Sequence, residues 1–144
     1  MPLRAVDPRR DGEFFEWFEI LHRSESLRDP SGDGGWQPDE WRARALPADP
    51  TIIYALATFD ADGDAAAAIA LRLSNDENRD VVELHLHVDP HRRRQGVGSA
   101  ALIACEQMVR QLGRRSITAV AREGVDELRN GPSRYFAPSR GYRL

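Results

Sequence analysis

Lysine is absent from this chain: the 20 basic side chains among its 144 residues are all arginine. Against 23 acidic residues they leave a net charge of −3. A dedicated nucleic-acid binder would show a basic excess, so the arginines at positions 92–94 read as a local feature. Cysteine is nearly absent too, and the single Cys105 excludes a disulfide within the chain. No apolar run approaches the roughly 20 residues that span a bilayer, and the first residues lack the pattern of a signal peptide. The expected location is therefore the cytoplasm. Internal repeats and low-complexity tracts are also missing, and the length suits one domain, residues 1–144, with a core of its own.

What is present centres on residues 81–113, which read as strand, loop and helix. Val82, Leu84, Leu86 and Val88 fall on one face of a period-2 pattern, with Val81, Glu83, His85 and His87 on the other. Pro90 has no N–H to give, so the strand stops before it. Beyond the loop, Val97, Ala101, Ala104, Cys105, Met108 and Leu112 recur at the spacing of an amphipathic helix that Gly113 ends. On that stripe Cys105 reads as a small buried hydrophobe, not a nucleophile. The glycine loop then lies at a helix N-terminus, where unpaired N–H groups and the helix dipole favour an anion. Gly96 and Gly98 remove Cβ atoms from the approach, Arg93 and Arg94 add charge, and Ser99 adds a hydroxyl. The loop suits a diphosphate. It lacks the Gly-Lys-Ser/Thr of the triphosphate loop and the third glycine of the dinucleotide fingerprint.

The rest of the chain predicts a sheet with helices around it. Residues 3–7 alternate up to Pro8, as a short edge strand does. Asp11 is placed to cap a helix whose core stripe is Phe14, Trp17, Phe18 and Leu21. Residues 24–36 read as a polar, glycine-rich loop able to move, and Pro38 opens a short helix running to about Leu46. Residues 51–59 and 65–73 form a hairpin about Asp62 and Gly63, the second strand rich in alanines that let a helix or ligand come close. Residues 116–121 make a fifth strand, parallel to its predecessor across the intervening helix, and residues 133–140 a last short helix.

The segment from Val88 through Arg93, Arg94, Gln95, Gly96, Val97 and Gly98 resembles the acetyl-coenzyme A loop of the GCN5-related N-acetyltransferases (GNAT). Asn130, Gly141 and Tyr142 follow at the spacing of that family's second cofactor segment. The resemblance implies a mixed α/β fold of order β-α-α-β-β-β-α-β-α, and acetyl transfer from acetyl-coenzyme A to a primary amine of a small molecule or peptide by direct attack. It implies no metal. Cofactor contacts would come from Leu86, His87 and Val88 along pantetheine, from Arg93, Arg94, Gln95, Gly96, Val97, Gly98 and Ser99 at the pyrophosphate, and from Asn130. Since the attacking amine must be neutral, a base is required, and Glu83, His85 and His87 share the qualifying face; Glu83 and His87 rank first as base or water relay, the alternative being that the carboxylate and imidazoles satisfy one another. The tyrosine that protonates the leaving thiolate in many members falls at Ala137, leaving Tyr135 or Tyr142 from a neighbouring turn, or water. The mobile segment with Trp36 and Trp41 would wall the acceptor site, although Trp41 serves equally well as core. A catalytically degenerate, acetyl-coenzyme A-sensing domain is the alternative reading.

Members ordinarily continue with two more strands after the position of Gly141 and Tyr142. The expectation for this chain is a fold truncated before them, and either the first part of a tandem protein or a homo-oligomer, such as a dimer, whose partner covers the edge of the strand at 116–121. Neither nucleic acid nor membrane is an expected partner.

Overall fold

The computed structural model describes residues 2–28, 35–46, 51–75, 79–92 and 96–120. Five strands form one sheet in the order β1 (Leu3–Ala5), β2 (Ile52–Ala61), β3 (Asp64–Ser74), β4 (Val81–Val88) and β5 (Ser116–Val120). The first four are antiparallel neighbours; β4 and β5 are parallel, as a connection through a helix requires. Helices α1 (Asp11–Arg28) and α2 (Pro38–Ala45) pack on one face, and α3 (Val97–Gln111) on the other. The mixed α/β order matches expectation as far as β5; the helix expected at 133–140 lies outside the described residues.

Alternation along the strands divides the core in two. Ile69, Leu71, Val82 and Leu84 point toward Val97, Ala101, Leu102, Cys105 and Val109 of α3. Leu56, Ala68 and Ala70 point the other way, toward Phe14, Trp17, Ile20 and Leu21 of α1 and Trp41 and Ala45 of α2. The alanines of β3 set how close α1 can come. Ala68 and Ala70 are buried flat beneath it, and the Trp17 indole N–H reaches past them to donate to the Ile69 carbonyl at 3.0 Å. The hairpin between β2 and β3 turns on Asp62 and Gly63, both at positive φ (54° and 82°), the pairing of a type I′ turn.

Three expectations about the helices shift. Asp11 does not cap α1; it is the first helical residue and accepts an ion pair from Arg42 of α2 at 2.7 Å. The start is held instead by Glu13, whose carboxylate accepts from the Asp7 N–H at 3.1 Å. Residues 24–28, assigned by composition to a loop, continue α1, because Ser24 lies on the buried stripe seven residues past Trp17 and is itself buried. Phe18 is only half-buried, with Ile20 in the core in its place. Helix α2 opens as expected with Pro38 in its first turn, and the Glu40 carboxylate accepts from the Gln37 N–H at 3.1 Å.

Helix α3 ends in a Schellman motif. Gly113 takes φ 76°, its N–H donates to the Arg110 carbonyl and that of Arg114 to Val109. Arg114 then clamps the β3–β4 turn, its guanidinium donating to the carbonyls of Ser74 and Arg79 and to the Asn75 side chain. The backbone N–H groups of Arg115 and Ser116 both donate to the Asp80 carbonyl, so β5 starts bonded to the start of β4.

Replacing Trp17 with Phe keeps a ring but removes the donor and some volume; urea unfolding is expected to show a loss of about 2 kcal/mol. Burial, with the Glu106 charge as the smaller cause, pushes the Cys105 thiol from its ordinary 9.0 up to about 12. The unfolded chain therefore releases this proton first, so the stability Cys105 contributes is intact below pH 9 and lost as pH rises toward 12. Unfolding free energies of the wild type and Cys105→Ala, measured from pH 8 upward, should converge by up to about 1.4 kcal/mol per pH unit within that window.

Candidate functional site

The site grows from the two ends of β4. At its C-terminal end the chain leaves the sheet at Asp89, whose N–H still donates to the Ala66 carbonyl, and Pro90 opens a single 3₁₀ turn, Pro90–Arg92. Asp89 is buried and organises this exit. One carboxylate oxygen accepts from the His91 N–H at 3.0 Å and the other from the Arg23 guanidinium of α1 at 2.9 Å. Sequence reasoning missed both residues, although an acid directly before Pro is a turn signal. Arg92 turns away from the loop toward the β2–β3 hairpin, pairing with Asp64 at 3.5 Å and Asp62 at 3.8 Å. Arg93, Arg94 and Gln95 lie outside the described residues.

Gly96 then caps α3 with φ 78°, a left-handed conformation that explains glycine at this position. As a glycine, Gly96 contributes no capping side chain of its own, and among the described residues a Cβ at this position would meet nothing within 4 Å. The first N–H to bond within the helix across this cap is that of Ala100, to the Gly96 carbonyl at 3.1 Å. The N–H groups of Val97, Gly98 and Ser99 precede it, the donors that an α-helix leaves without an internal acceptor. Val97 itself is buried under the sheet, while Gly98 and Ser99 are half-buried. Three amides at a helix N-terminus behind a glycine cap suit an anionic group.

On its other side β4 pairs with β5. Among the described residues the parallel ladder runs from Val81 opposite Ser116 to His85 opposite Val120. Leu86, His87 and Val88 follow, paired on the inner side with Ile69, Ala68 and Ala67 of β3. Their side chains divide as expected: Leu86 and Val88 pack toward α3, and His87 is buried on the α1 face, in register with Ala68 and Thr58.

Glu83 and His85 share that second face, and the structure brings them together. The Glu83 carboxylate lies 2.8 Å from His85 Nε2, with Glu83 half-buried and His85 almost wholly so. The imidazole rests against the rings of Trp41 at 6.2 Å and Tyr54 at 6.0 Å. His85 qualified by its strand face but ranked behind Glu83 and His87; the i, i+2 spacing to Glu83 on that face was the signal for the contact. Around the pair, Trp36, Trp41 and Tyr54 meet edge to face at centroid distances of 4.7, 5.5 and 5.7 Å. Trp41 is core and Trp36 half-buried, with the Arg44 guanidinium 3.9 Å above its ring. Burial, and after it the Glu83 charge, push the Tyr54 phenol up, so it stays a neutral hydroxyl at physiological pH. Tyr135 and Asn130 lie outside the described residues. Among the described residues no group of three or more His, Cys, Asp and Glu side chains could hold a metal.

The profile of the acetyltransferase (GNAT) family matches residues 13–142. Among solved structures, the chain superposes on the BH1408 protein of Bacillus halodurans, in a tetramutant form, with a TM-score of 0.66 at 16% identity, covering 100% of this chain and 94% of that one. The ribosomal-protein-S18-alanine N-acetyltransferase of Escherichia coli gives a TM-score of 0.66 at 16% identity over 96% of this chain and 75% of that one. A tandem GNAT protein from the clavulanic acid biosynthesis pathway matches with a TM-score of 0.64 at 18% identity; 83% of this chain corresponds to 36% of that longer one. No curated protein matches. At these identities the likeness establishes a shared fold.

Proposed function

Because this chain belongs to the GNAT family of acetyltransferases, we propose that it transfers an acetyl group from acetyl-coenzyme A to a primary amine of a small molecule or peptide, with Glu83 and His85 handling the amine's proton. The observation that carries this reading is the arrangement around β4. A helix N-terminus with a glycine cap follows its C-terminal end, Leu86, His87 and Val88 lie past the ladder to β5 among the described residues, and a carboxylate–imidazole pair stands on the face toward α2.

Acetyl-coenzyme A, when bound, supplies an activated thioester. The N–H groups of Val97, Gly98 and Ser99, with Arg93, Arg94 and Gln95 before them, hold the pyrophosphate. The backbone of Leu86, His87 and Val88 borders the pantetheine, and Asn130 adds a side-chain contact. The acceptor arrives mostly as an ammonium ion and must lose a proton before it can attack. Glu83 takes that proton directly or through water and passes it to solvent before the amine attacks, and the His85 N–H donated to its carboxylate holds the acid in place. The neutral amine then attacks the thioester carbonyl: the C–N bond forms, the C–S bond breaks, the second amine proton passes to the Glu83–His85 pair, and the leaving thiolate takes a proton from Tyr135 or water. His87, buried one alternation further along the same face, is the second candidate for relaying the proton.

Two measurements test this reading. Gly98→Asp places a carboxylate among the phosphate donors, and calorimetry should find coenzyme A affinity lowered more than about a hundredfold; unchanged affinity would show that the loop is not the site. Glu83→Gln should lower kcat at neutral pH by about a hundredfold in a thiol-release assay. The deficit should narrow as pH rises and the acceptor deprotonates without help. A constant deficit at every pH would assign Glu83 a purely structural role.

A further inference from the structure

We propose that the acceptor amine also bears a carboxylate, and that Arg72 is the residue that receives it. This rests on the acetyl-transfer reading above and deepens it by naming a substrate class. The sheet register puts Tyr54, Arg72 and Glu83 in one row across β2, β3 and β4, directly opposite one another and on the same face. Opposed side chains of opposite charge on neighbouring strands ordinarily pair, since their Cβ atoms are about 4.5–5.5 Å apart. Here they do not. Glu83 is committed to His85 at 2.8 Å, and Arg72 makes no ion pair among the described residues, its side chain hydrogen-bonding the Tyr54 hydroxyl.

Among the described residues this leaves the half-buried Arg72 without an ion-pair partner, whereas Arg4, Arg23, Arg42 and Arg92 each meet a carboxylate. A guanidinium presents parallel N–H donors that match a carboxylate in two-point contact, and a site that lacks its own acid is suited to one brought by a ligand. The geometry carries the second charge as well. Glu83 stands one strand away with its carboxylate half-buried, so a single small molecule can set its carboxylate on Arg72 and its ammonium on Glu83. Trp36 and Tyr54, 5.5 Å apart and half-buried, form the apolar wall beside this pair of charges. Amino acids, and short peptides whose carboxylate folds back to the amine, are the chemical class that satisfies both ends. Amines with a second cation in that place would face Arg72 with like charge.

The experiment compares matched amines that differ only in the carboxylate: alanine with ethylamine, and phenylalanine with phenethylamine. In the wild type, kcat/KM for the acid of each pair should exceed that for its partner at least about tenfold, through KM. In Arg72→Gln the ratio should fall to near one while coenzyme A affinity, measured by calorimetry, is unchanged, which shows that the fold and the cofactor site persist. Equal kcat/KM within each wild-type pair, or a preference that survives Arg72→Gln, overturns the proposal. A second readout separates it from the acetyl-transfer reading. N-acetylphenylalanine and N-phenethylacetamide are titrated in the presence of coenzyme A. If no amine releases thiol, the catalytic reading fails. Binding of the acid alone, lost in Arg72→Gln, then still establishes the carboxylate site, whereas equal binding of both, or of neither, removes it.

Discussion

The hydrogen bond from the Trp17 indole to the Ile69 carbonyl fixes the layer that makes this site possible. A side chain larger than alanine at positions 68 or 70 would hold α1 off the sheet and move the indole out of reach, so the alanine run and the tryptophan are one device. With α1 seated, Arg23 meets Asp89 near the far end of the same helix, and Arg42 ties α2 to Asp11 at its near end. The exit of β4 and the aromatic wall on α2 are thus positioned from a single rigid helix. Strand propensity alone disfavours the alanines of β3, and close helix packing offsets that cost.

Strand β4 works with both faces and both ends. The apolar face is satisfied by α3, which frees the polar face to carry Glu83, His85 and His87 beneath α1 and α2. Burial of two imidazoles on that face is expensive unless each has a hydrogen-bond partner, and the Glu83 carboxylate supplies the one for His85. The same bond removes Glu83 from Arg72, so the preference of one carboxylate for a histidine two residues away decides the charge character of the neighbouring strand.

Much of this was legible in the sequence, because period-2 and period-3.6 patterns report burial directly. The β4 alternation, the α3 stripe through Val97, Ala101 and Cys105, the turn at Asp62 and Gly63 and the stop at Gly113 follow from local chemistry and hold in the structure, whereas Leu112 is exposed and Leu102 and Val109 join the core instead. The C-terminal third of α1 did not read as helix, because Ser24 and its polar neighbours look like a loop until the stripe is extended from Trp17. Within the site, Glu83 and His87 could be ranked only by strand face. The Glu83–His85 contact depends on side-chain rotamers, and the Arg23–Asp89 bridge joins residues 66 positions apart, neither of which a local pattern encodes.

The arginine clamp at the end of α3 anchors the start of β5. Arg114, Arg115 and Ser116 fasten its first residue to the β3–β4 turn, and from there it matches β4 residue for residue as far as His85. The anchor therefore acts as a ruler for register: it sets which β5 residue lies opposite each residue of β4. Adding one residue between Gly113 and Ser116 would turn every β5 side chain to the opposite face. The alignment of the two parallel strands is thus decided at the end of the sheet away from the 3₁₀ turn.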